Sequence, residues 1–269
     1  MRTENKKGMT SMKKILDIQN LSFIKDKEIL KSISWQVEKG ERWALLGANG
    51  AGKTSLLSVI CGYEVPSSGI MTVDGKTYSE CEWQRVREKI AIVSANINRK
   101  IQTSETALEI VVSGEFAMIN FWGTADEKVC QKAVRKMKEL GVFHLAASRW
   151  SQLSQGERQK VQIARSLMVN PTVMFLDEPC TGLDPVARDN FVGFMEKISE
   201  SKKIPAIVLA THYVEEIPPS FTNAMVIRDG EVLASGKIGD VVTSSVLSEA
   251  YGADCKVSRR NGRFFLKIS

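Results

Sequence analysis

The chain has 269 residues, 43% of them hydrophobic and 25% charged, and its formal net charge is +6. This composition is typical of a globular protein, and no apolar run approaches the roughly 18 residues that a membrane-spanning helix requires. The N-terminal stretch is basic and polar without an apolar core, which argues against a secretory signal, so we expect a cytosolic protein.

The cysteine and histidine content argues against metal and disulfide sites. The cysteines are odd in number and form no C-x-x-C pair, so we expect reduced thiols rather than zinc ligands or disulfides. There are only two histidines, His144 and His212, which is too few for a histidine-rich metal site. The five cysteines are Cys61, Cys81, Cys130, Cys180 and Cys255.

The positive charge is concentrated at the two ends of the chain. Residues 1–14 contain five Lys or Arg and one Glu, and residues 256–269 contain five Lys or Arg and no acidic residue. We interpret these ends as solvated basic tails, and weak attraction to anionic lipid or nucleic acid is the alternative. No basic helix interleaved with aromatic residues is present, so direct nucleic-acid binding is not expected.

The first part of the chain has the patterns of short strands around one helix. Alternating apolar and polar residues over 15–40 predict antiparallel strands, to which the chain later returns through a turn at Asp74-Gly75. A buried strand at 42–46 runs into a glycine-rich loop and then into a helix that ends at Gly62. Another buried strand is predicted at 90–94.

The pattern changes after this strand. Helical spacing without a strand-like run predicts a helical insertion, which we place at about 96–168. Strands "TVMFLDE" and "AIVLATH" follow, separated by a helix, and a hairpin turns at Asp229-Gly230. Alternation of strands and helices predicts an α/β fold with a mostly parallel sheet covered on both faces. Residues 241–269 form a short C-terminal extension, with one helix and one strand expected.

The glycine-rich loop predicts nucleotide binding. "GANGAGKT" fits the pattern G-x-x-x-x-G-K-[ST] and lies between a strand and a helix, as a phosphate-binding loop must. Its glycines let backbone N–H groups surround phosphate oxygens, Lys53 reaches the β- and γ-phosphates, and the Thr54 hydroxyl binds Mg²⁺. The predicted ATP contacts here are Gly47, Ala48, Asn49, Gly50, Ala51, Gly52, Lys53, Thr54 and Ser55.

Two adjacent carboxylates end the later strand "VMFLD". An Asp-Glu pair at a strand end is often a solvated turn or a helix cap, but a phosphate loop upstream gives it a chemical role. Asp177 is then the Mg²⁺ ligand, and Glu178 is the residue that activates or orients a water molecule. Asp184-Pro185 fits an N-cap followed by proline at the first helical position, so the chemistry alone leaves a functional role for Asp184 open.

A second helix start has the properties of an anion site. Ser154 and Glu157 form the S-x-x-E pattern of a capping box, which is a sufficient structural explanation by itself. Gly156 lowers helix propensity by about 1 kcal/mol relative to alanine and exposes the backbone N–H groups of the first turn. This helix start therefore binds either a second anion or the phosphate already held by the glycine-rich loop, which a partner subunit would then grip from the opposite side.

The order and spacing of "GANGAGKTS", "LSQGE", "VMFLDEPCTGLD" and "ATH" resemble the ATP-binding domain of ATP-binding cassette (ABC) proteins over roughly 15–240. The resemblance implies a P-loop NTPase with an N-terminal antiparallel β subdomain and an inserted helical subdomain. It also implies a head-to-tail homodimer in which the LSxGE residues of one copy contact the ATP of the other. These residues are Ser154, Gln155, Gly156 and Glu157.

The same resemblance implies roles for three further residues. Glu178 and His212 act in catalysis together with Lys53, with His212 as the switch histidine that contacts the γ-phosphate. Asp184 belongs to the loop that crosses the dimer interface. His144 matches no motif and is expected to be structural.

The sequence departs from the family at two positions. An aromatic residue that stacks on adenine is common where this chain has Lys25, which could stack through its stem or by a cation–π contact, or be replaced by Phe23. A glutamine is common where this chain has Ala95. Asn96, Asn98 and Gln102 are the candidates to replace its contact with Mg²⁺ or water.

A finer resemblance links residues 211–236 to a branch named after molybdenum-transport ATPases, and it carries little information about the substrate. The resemblance implies a transporter subunit that drives a separate integral membrane permease and lies peripherally on the inner face of the cell membrane. The alternative is a soluble ABC-type ATPase that acts on ribosomes, nucleic acid or a regulatory partner. A small-molecule kinase has no use for the LSQGE helix.

Overall fold

The computed structural model of the chain describes residues 13–121, 123–200 and 205–269, and at residue 96 it describes the backbone alone. Most of the predicted tail 1–14 lies outside these ranges. The strands are β1 (Lys14–Ile24), β2 (Glu28–Glu38), β3 (Arg42–Leu46), β4 (Ser68–Val73), β5 (Lys76–Thr77), β6 (Ile90–Ser94), β7 (Val173–Asp177), β8 (Ala206–Thr211), β9 (Asn223–Arg228), β10 (Glu231–Lys237), β11 (Cys255–Arg260) and β12 (Arg263–Ile268). The α-helices are α1 (Lys53–Ile60), α2 (Trp83–Arg87), α3 (Ala95–Asn98), α4 (Ala107–Ser113), α5 (Glu127–Glu139), α6 (Gln155–Ser166), α7 (Pro185–Ser199), α8 (Ile238–Val241) and α9 (Ser244–Tyr251).

The N-terminal strands form the predicted antiparallel sheet, in the order β2-β1-β4-β5. In β2 the alternate residues Ile33, Trp35 and Val37 are buried, because one face of this sheet packs on the core. In β1, where the register shifts, the buried residues come in short runs. The turn at Asp74-Gly75 is confirmed, and both residues have positive φ, as a tight hairpin turn requires. The predicted antiparallel subdomain is therefore confirmed.

The central sheet has the order β10-β9-β3-β8-β7-β6, in which only β10 is antiparallel to its neighbour. All five residues of β3 and all six of β8 are buried, because both faces of this sheet are covered. Alternate residues of one strand therefore enter different cores: Trp43 and Leu45 face the antiparallel sheet and α1, whereas Ala44 and Leu46 face the helical elements. The mostly parallel α/β fold is confirmed.

The chain between β6 and β7 is helical throughout the part that the structure describes. It contains α3 to α6 and short 3₁₀ turns. Thr106 and Arg149 form an isolated antiparallel β-bridge within it. α4 packs against both α5 and α6, and buried residues such as Ile110, Met137 and Val161 join these helices to the central sheet. The helical insertion thus shares its core with the sheet.

The C-terminal extension contains one more strand than the sequence predicted. α9 and β12 correspond to the expected helix and strand, but β11 pairs with β12 as an antiparallel hairpin. The polar composition of β11, "CKVSRR", concealed this strand. Leu247, Cys255 and Phe264 belong to the same core as the helical elements, so the extension packs on the body of the molecule.

Two further findings concern cysteines and membrane segments. All five cysteines lie in the described part of the chain and are free thiols. Within the same part of the chain, each helix is too short or too polar to cross a bilayer.

Candidate functional site

The phosphate-loop sequence forms a tight connection between β3 and α1. Gly47 has φ +154°, and a Cβ atom added there would lie 2.3 Å from the carbonyl oxygen of Ile227, so no larger residue fits. Gly52, the N-cap of α1, has φ +111°, and within the described residues no side chain caps this helix. The N–H groups at the start of α1 are therefore available to an anion, as the sequence predicted.

Lys53 is buried at the first position of α1, with 4% of its surface exposed. Its Nζ donates hydrogen bonds to the carbonyl oxygens of Gly47 at 2.7 Å and Ala48 at 3.0 Å, and it lies 3.7 Å from Oε1 of Glu178. Burial lowers the pKa of Lys53, and the charges of Glu178 and Asp177 oppose this shift. The ammonium group is thus held at the loop and close to both carboxylates of the predicted acidic pair.

Thr54 and Asp177 meet across the first turn of α1 and the carboxyl end of β7. The Thr54 hydroxyl donates to Oδ1 of Asp177 at 3.2 Å. Burial is the largest cause that raises the pKa of Asp177, and the hydrogen bond from Thr54 counteracts it. A cation between these oxygens would favour the charged carboxylate, so the pair suits Mg²⁺, which is usually bound by one or two protein oxygens together with phosphates and water.

No group of three or more His, Cys, Asp or Glu side chains with metal-site geometry occurs within residues 13–121, 123–200 and 205–269. A site with one carboxylate and one hydroxyl is consistent with Mg²⁺ bound mainly through a nucleotide, in contrast to a site with protein ligands on all sides. The residues present therefore fit a nucleotide-bound Mg²⁺ ion.

Glu178 has an unusual backbone conformation at the end of β7. Its φ is +48°, a left-handed value that is uncommon for residues with a side chain, and its N–H donates to the carbonyl oxygen of Ala210 in β8 at 2.9 Å. Oε1 lies 3.2 Å from Nδ1 of His212, and Oε2 accepts a hydrogen bond from the Thr181 hydroxyl at 3.4 Å. The turn places the carboxylate between Lys53 and His212.

His212 follows β8 and faces Glu178 from the neighbouring strand end. About a fifth of its side chain, 21%, is exposed. Hydrogen bonds connect the residues on both sides of His212. The Thr211 hydroxyl donates to the buried carboxylate of Glu216 and accepts from the N–H of Tyr213. Burial is the main cause that raises the pKa of Glu216, and the hydrogen bond from Thr211 opposes this shift.

Sequence reasoning missed Thr181, Thr211 and Glu216, because their contacts depend on which strand ends lie side by side.

The predicted capping box at the start of α6 is confirmed. The Ser154 hydroxyl accepts from the N–H of Glu157 at 3.4 Å, and the Glu157 carboxylate accepts from the N–H of Ser154 at 2.8 Å. The hydrogen bond from the Ser154 hydroxyl is the main cause that lowers the pKa of Glu157. In the described residues, no hydrogen bond joins this helix start to the phosphate loop of the same chain.

The loop before α7 lies beside this helix start. Asp184 is the N-cap of α7 and accepts from the N–H groups of Val186 at 2.8 Å and Ala187 at 2.9 Å, which confirms the structural interpretation of this residue. A Cβ atom added at Gly156 would lie 3.9 Å from Leu183, the residue before Asp184. Ser154 and Asp184 are both exposed, so the two segments form one accessible surface.

The residues proposed to replace the adenine-stacking aromatic residue and the glutamine of the family differ in their exposure and contacts. Phe23 is buried in the core with 5% exposure, so the interpretation that it replaces the adenine-stacking residue is wrong. Lys25 is exposed, and its Nζ lies 3.1 Å from Oε1 of Glu64. Ala95 is exposed at the start of α3, and both polar side-chain atoms of Asn98 are buried and have no hydrogen-bond partner among the described atoms. The Gln102 N–H donates to Oδ1 of Asn120, and the side chain of Asn96 lies outside the described atoms.

Two clefts flank the helical elements. One, with a volume of about 760 Å³, reaches from Thr54 and Asp177 past Ser94 to Met118 and Arg165. A larger one of about 1210 Å³ lies between α5, α6 and α7 and includes only Glu157 among the predicted site residues. Lys53, Glu178 and His212 are not among the described residues that line either cleft.

Comparison with known proteins gives consistent results. The family model described as "ABC transporter" matches residues 30–181. The ABC transporter ATP-binding protein YlmA of Bacillus subtilis (strain 168) is 39% identical over 254 residues, which cover 94% of this chain and 96% of that protein. The energy-coupling factor transporter ATP-binding protein EcfA of Methanosphaera stadtmanae is 32% identical over 244 residues, or 89% and 85% of the two chains.

A solved structure supports the same relationship. The structure of cbiO1 from Clostridium perfringens, described as part of the ABC transporter complex cbiONQ, superposes with a TM-score of 0.75. It is 27% identical to this chain, and the match covers 88% of this chain and 93% of that one. None of these three relatives carries a name that mentions molybdenum.

Proposed function

The chain belongs to the ABC transporter family as an ATP-binding subunit that hydrolyses ATP, and we propose that two copies clasp each nucleotide head to tail. The observation that carries this proposal is the position of Glu178. Its carboxylate lies 3.7 Å from the Lys53 ammonium and 3.2 Å from the His212 ring, at the mouth of a loop built for phosphate. A capping or solvated carboxylate would need neither partner.

Each residue then has a defined task in the proposed site. The N–H groups of 47–55 and the Lys53 ammonium bind the phosphates, and Thr54 and Asp177 hold Mg²⁺, which neutralises phosphate charge when bound. Glu178 accepts a proton from the attacking water or orients it, and His212 contacts the terminal phosphate beside it. These roles require Lys53 to exchange its two carbonyl contacts for phosphate oxygens.

The second half of the site is proposed to come from a partner copy. Ser154, Gln155, Gly156 and Glu157 present a helix start with open N–H groups, and the Asp184 loop lies against it through Leu183. Because this surface forms no hydrogen bond with the phosphate loop of its own chain among the described residues, a head-to-tail partner supplies the natural anion for it. The exposed Val186, at the start of α7, adds apolar surface to the same region.

The cleft of about 760 Å³ is the proposed docking place for a separate membrane permease. It lies between the helical elements and the central sheet, and Tyr63 and Met118 on its wall are 54% and 50% exposed. Since its floor includes Thr54 and Asp177, a partner bound there is adjacent to the proposed Mg²⁺ site. The subunit would then lie peripherally on the inner face of the cell membrane.

The relatives of the chain are named after different transport systems. Residues 211–236 resemble the molybdenum-transport-like branch, whereas EcfA is named for the energy-coupling factor transporter and cbiO1 for the cbiONQ complex. These names refer to different transport systems, and the proposed site binds the nucleotide. The family relationship favours transport over the alternative of an ATPase acting on ribosomes or nucleic acid.

Replacement of Glu178 by glutamine tests the proposal. Glu178→Gln keeps the size of the side chain and removes its basicity, so ATP binding is retained and kcat falls by about 100-fold or more. An ATP-bound dimer then accumulates, and size-exclusion chromatography with and without ATP detects it. Glu80→Gln, an exposed change outside the site, is the matched control. Unchanged turnover in Glu178→Gln would contradict the assignment of the catalytic carboxylate.

A further inference from the structure

The C-terminal extension reaches the segment that carries His212. α9 ends at Tyr251, and Gly252, with φ +65°, reverses the chain into the β11–β12 hairpin. The junction is held by Ser248, whose hydroxyl accepts from the N–H of Cys255 at 2.9 Å. Tyr251 is therefore fixed at a rigid corner and is not part of a loose tail.

The Tyr251 hydroxyl donates a hydrogen bond to the carbonyl oxygen of His212 at 3.0 Å. The other polar group of the same peptide unit, the N–H of Tyr213, donates to the Thr211 hydroxyl at 3.0 Å. A peptide unit is planar, so holding its carbonyl on one side and its N–H on the other fixes the orientation of the whole unit. This orientation sets the direction in which the His212 side chain leaves the backbone.

The hairpin fixes the following residues in the same way. The N–H of Leu266 donates to the Glu215 carboxylate at 2.8 Å, and Nη2 of Arg263 donates to the Glu215 carbonyl oxygen at 2.9 Å. Nη1 of Arg263 also donates to Asp189 in α7, the helix that is capped by Asp184. The extension thus joins the His212 segment to the helix that follows the proposed interface loop.

We infer that Tyr251 is a positioning residue for His212, and that the C-terminal hairpin holds this histidine in register with Glu178. The inference rests on the proposed role of His212 in turnover. Among the described residues, the hydrogen bond of the Tyr251 hydroxyl goes to the His212 carbonyl oxygen and not to the phosphate loop or the acidic pair, so its effect on catalysis passes through the His212–Tyr213 peptide. Loss of its hydroxyl frees that peptide to rotate. The imidazole ring of His212, which lies 3.2 Å from Glu178, then shifts from its position.

Tyr251→Phe tests the inference because it removes the hydroxyl and keeps the ring. A lost neutral hydrogen bond predicts a fall in kcat of about 3- to 10-fold, with the KM for ATP unchanged, since the phosphate loop is untouched. The chain has only two histidines, so the imidazole resonances of His212 and His144 are separately assignable by NMR. The His212 resonances shift in the variant and those of His144 do not.

A double-mutant cycle distinguishes positioning from a general loss of stability. In a His212→Ala background, Tyr251→Phe has no further effect on turnover, because the two changes act through one group. Tyr78→Phe, which lies beside Trp83 after the N-terminal sheet, is the matched control and leaves turnover and both histidine spectra unchanged.

The outcomes separate the inference from the proposed function. If His212→Ala retains full turnover, the proposed role of His212 fails, and the role of Tyr251 fails with it. If His212→Ala reduces turnover but Tyr251→Phe leaves the His212 resonances unmoved, or lowers the residual rate of His212→Ala by the same factor, only the positioning inference is overturned.

Discussion

The phosphate loop and the start of α6 are both glycine-containing helix starts, but they differ in what surrounds them. Lys53 is 4% exposed and already paired with two carbonyl oxygens and with Glu178. Ser154 is exposed, and its hydrogen bonds all stay within the first turn of its own helix. The phosphate-loop half of the proposed site is assembled inside the chain, whereas the α6 half presents its donors to the outside.

The two helix starts also differ in how much space surrounds their glycines, Gly47 and Gly156. Gly47 is enclosed, because a Cβ atom there would be 2.3 Å from a carbonyl oxygen of β9. Outside its own helix and chain neighbours, a Cβ atom added at Gly156 would meet one atom of the described residues within 4 Å, a side-chain atom of Leu183 at the ordinary contact distance of 3.9 Å. The fold therefore explains Gly47 without any ligand, but it does not explain Gly156.

Gly47→Ala has the largest expected effect. The added methyl group meets rigid backbone, and the φ of +154° is unfavourable for alanine, so the loop has to shift and the phosphate site is lost. We expect ATP binding below detection in isothermal titration calorimetry and a clear fall in the melting temperature. Normal ATP binding by this variant would show that the loop is not a close-fitting cradle.

Gly156→Ala has an intermediate effect of a different kind. Alanine favours the helix by about 1 kcal/mol, so the melting temperature of the variant is equal or slightly higher than that of the parent chain. ATP binding to one copy is also retained, but the added methyl group lies on the surface that faces the partner, so turnover and ATP-driven dimerisation fall. A variant with full turnover would remove the need for close approach at Gly156.

Lys25→Tyr has the smallest expected effect. The exposed ion pair between Lys25 and Glu64 contributes about 0–1 kcal/mol, so its loss leaves stability nearly unchanged. If adenine lies over residue 25, an aromatic ring there adds about 0.5–1.5 kcal/mol, and ATP affinity rises by a few-fold in fluorescence titration. Unchanged affinity would place the adenine elsewhere, and Lys27→Tyr in the same turn is the control.

The clustering of the candidate catalytic residues was predictable because they follow parallel strands. β3, β7 and β8 are neighbours in the sheet, so Lys53, Asp177, Glu178 and His212 meet at their carboxyl ends. The left-handed backbone of Glu178 and its contact with Ala210 were not predictable, since they depend on pairing between strands remote in sequence. The same reason hid Tyr251, whose partner is 39 residues earlier in the chain.

Two other failures arose from local composition. β11 has a polar sequence that does not alternate clearly, and only its pairing with β12 makes it a strand. Phe23 was a candidate adenine contact because it is aromatic and close to Lys25, but it lies in a run of three buried residues of β1 and belongs to the core. The ranges drawn from sequence for the ATPase domain, 15–240, and for its helical part, 96–168, stay predictions.

The most direct test of the account is complementation between two inactive variants. Lys53→Ala disables the loop half, and Ser154→Arg disables the helix half, so each forms an inactive homodimer. A shared site predicts that mixing them restores turnover, because a heterodimer contains one intact loop facing one intact helix start. About a quarter of the parental rate is expected at equal amounts if copies exchange freely, since half the dimers then carry one of two sites. Turnover no higher than that of the separate variants, in a mixture shown by tagged pull-down to contain heterodimers, would contradict a nucleotide held between two copies.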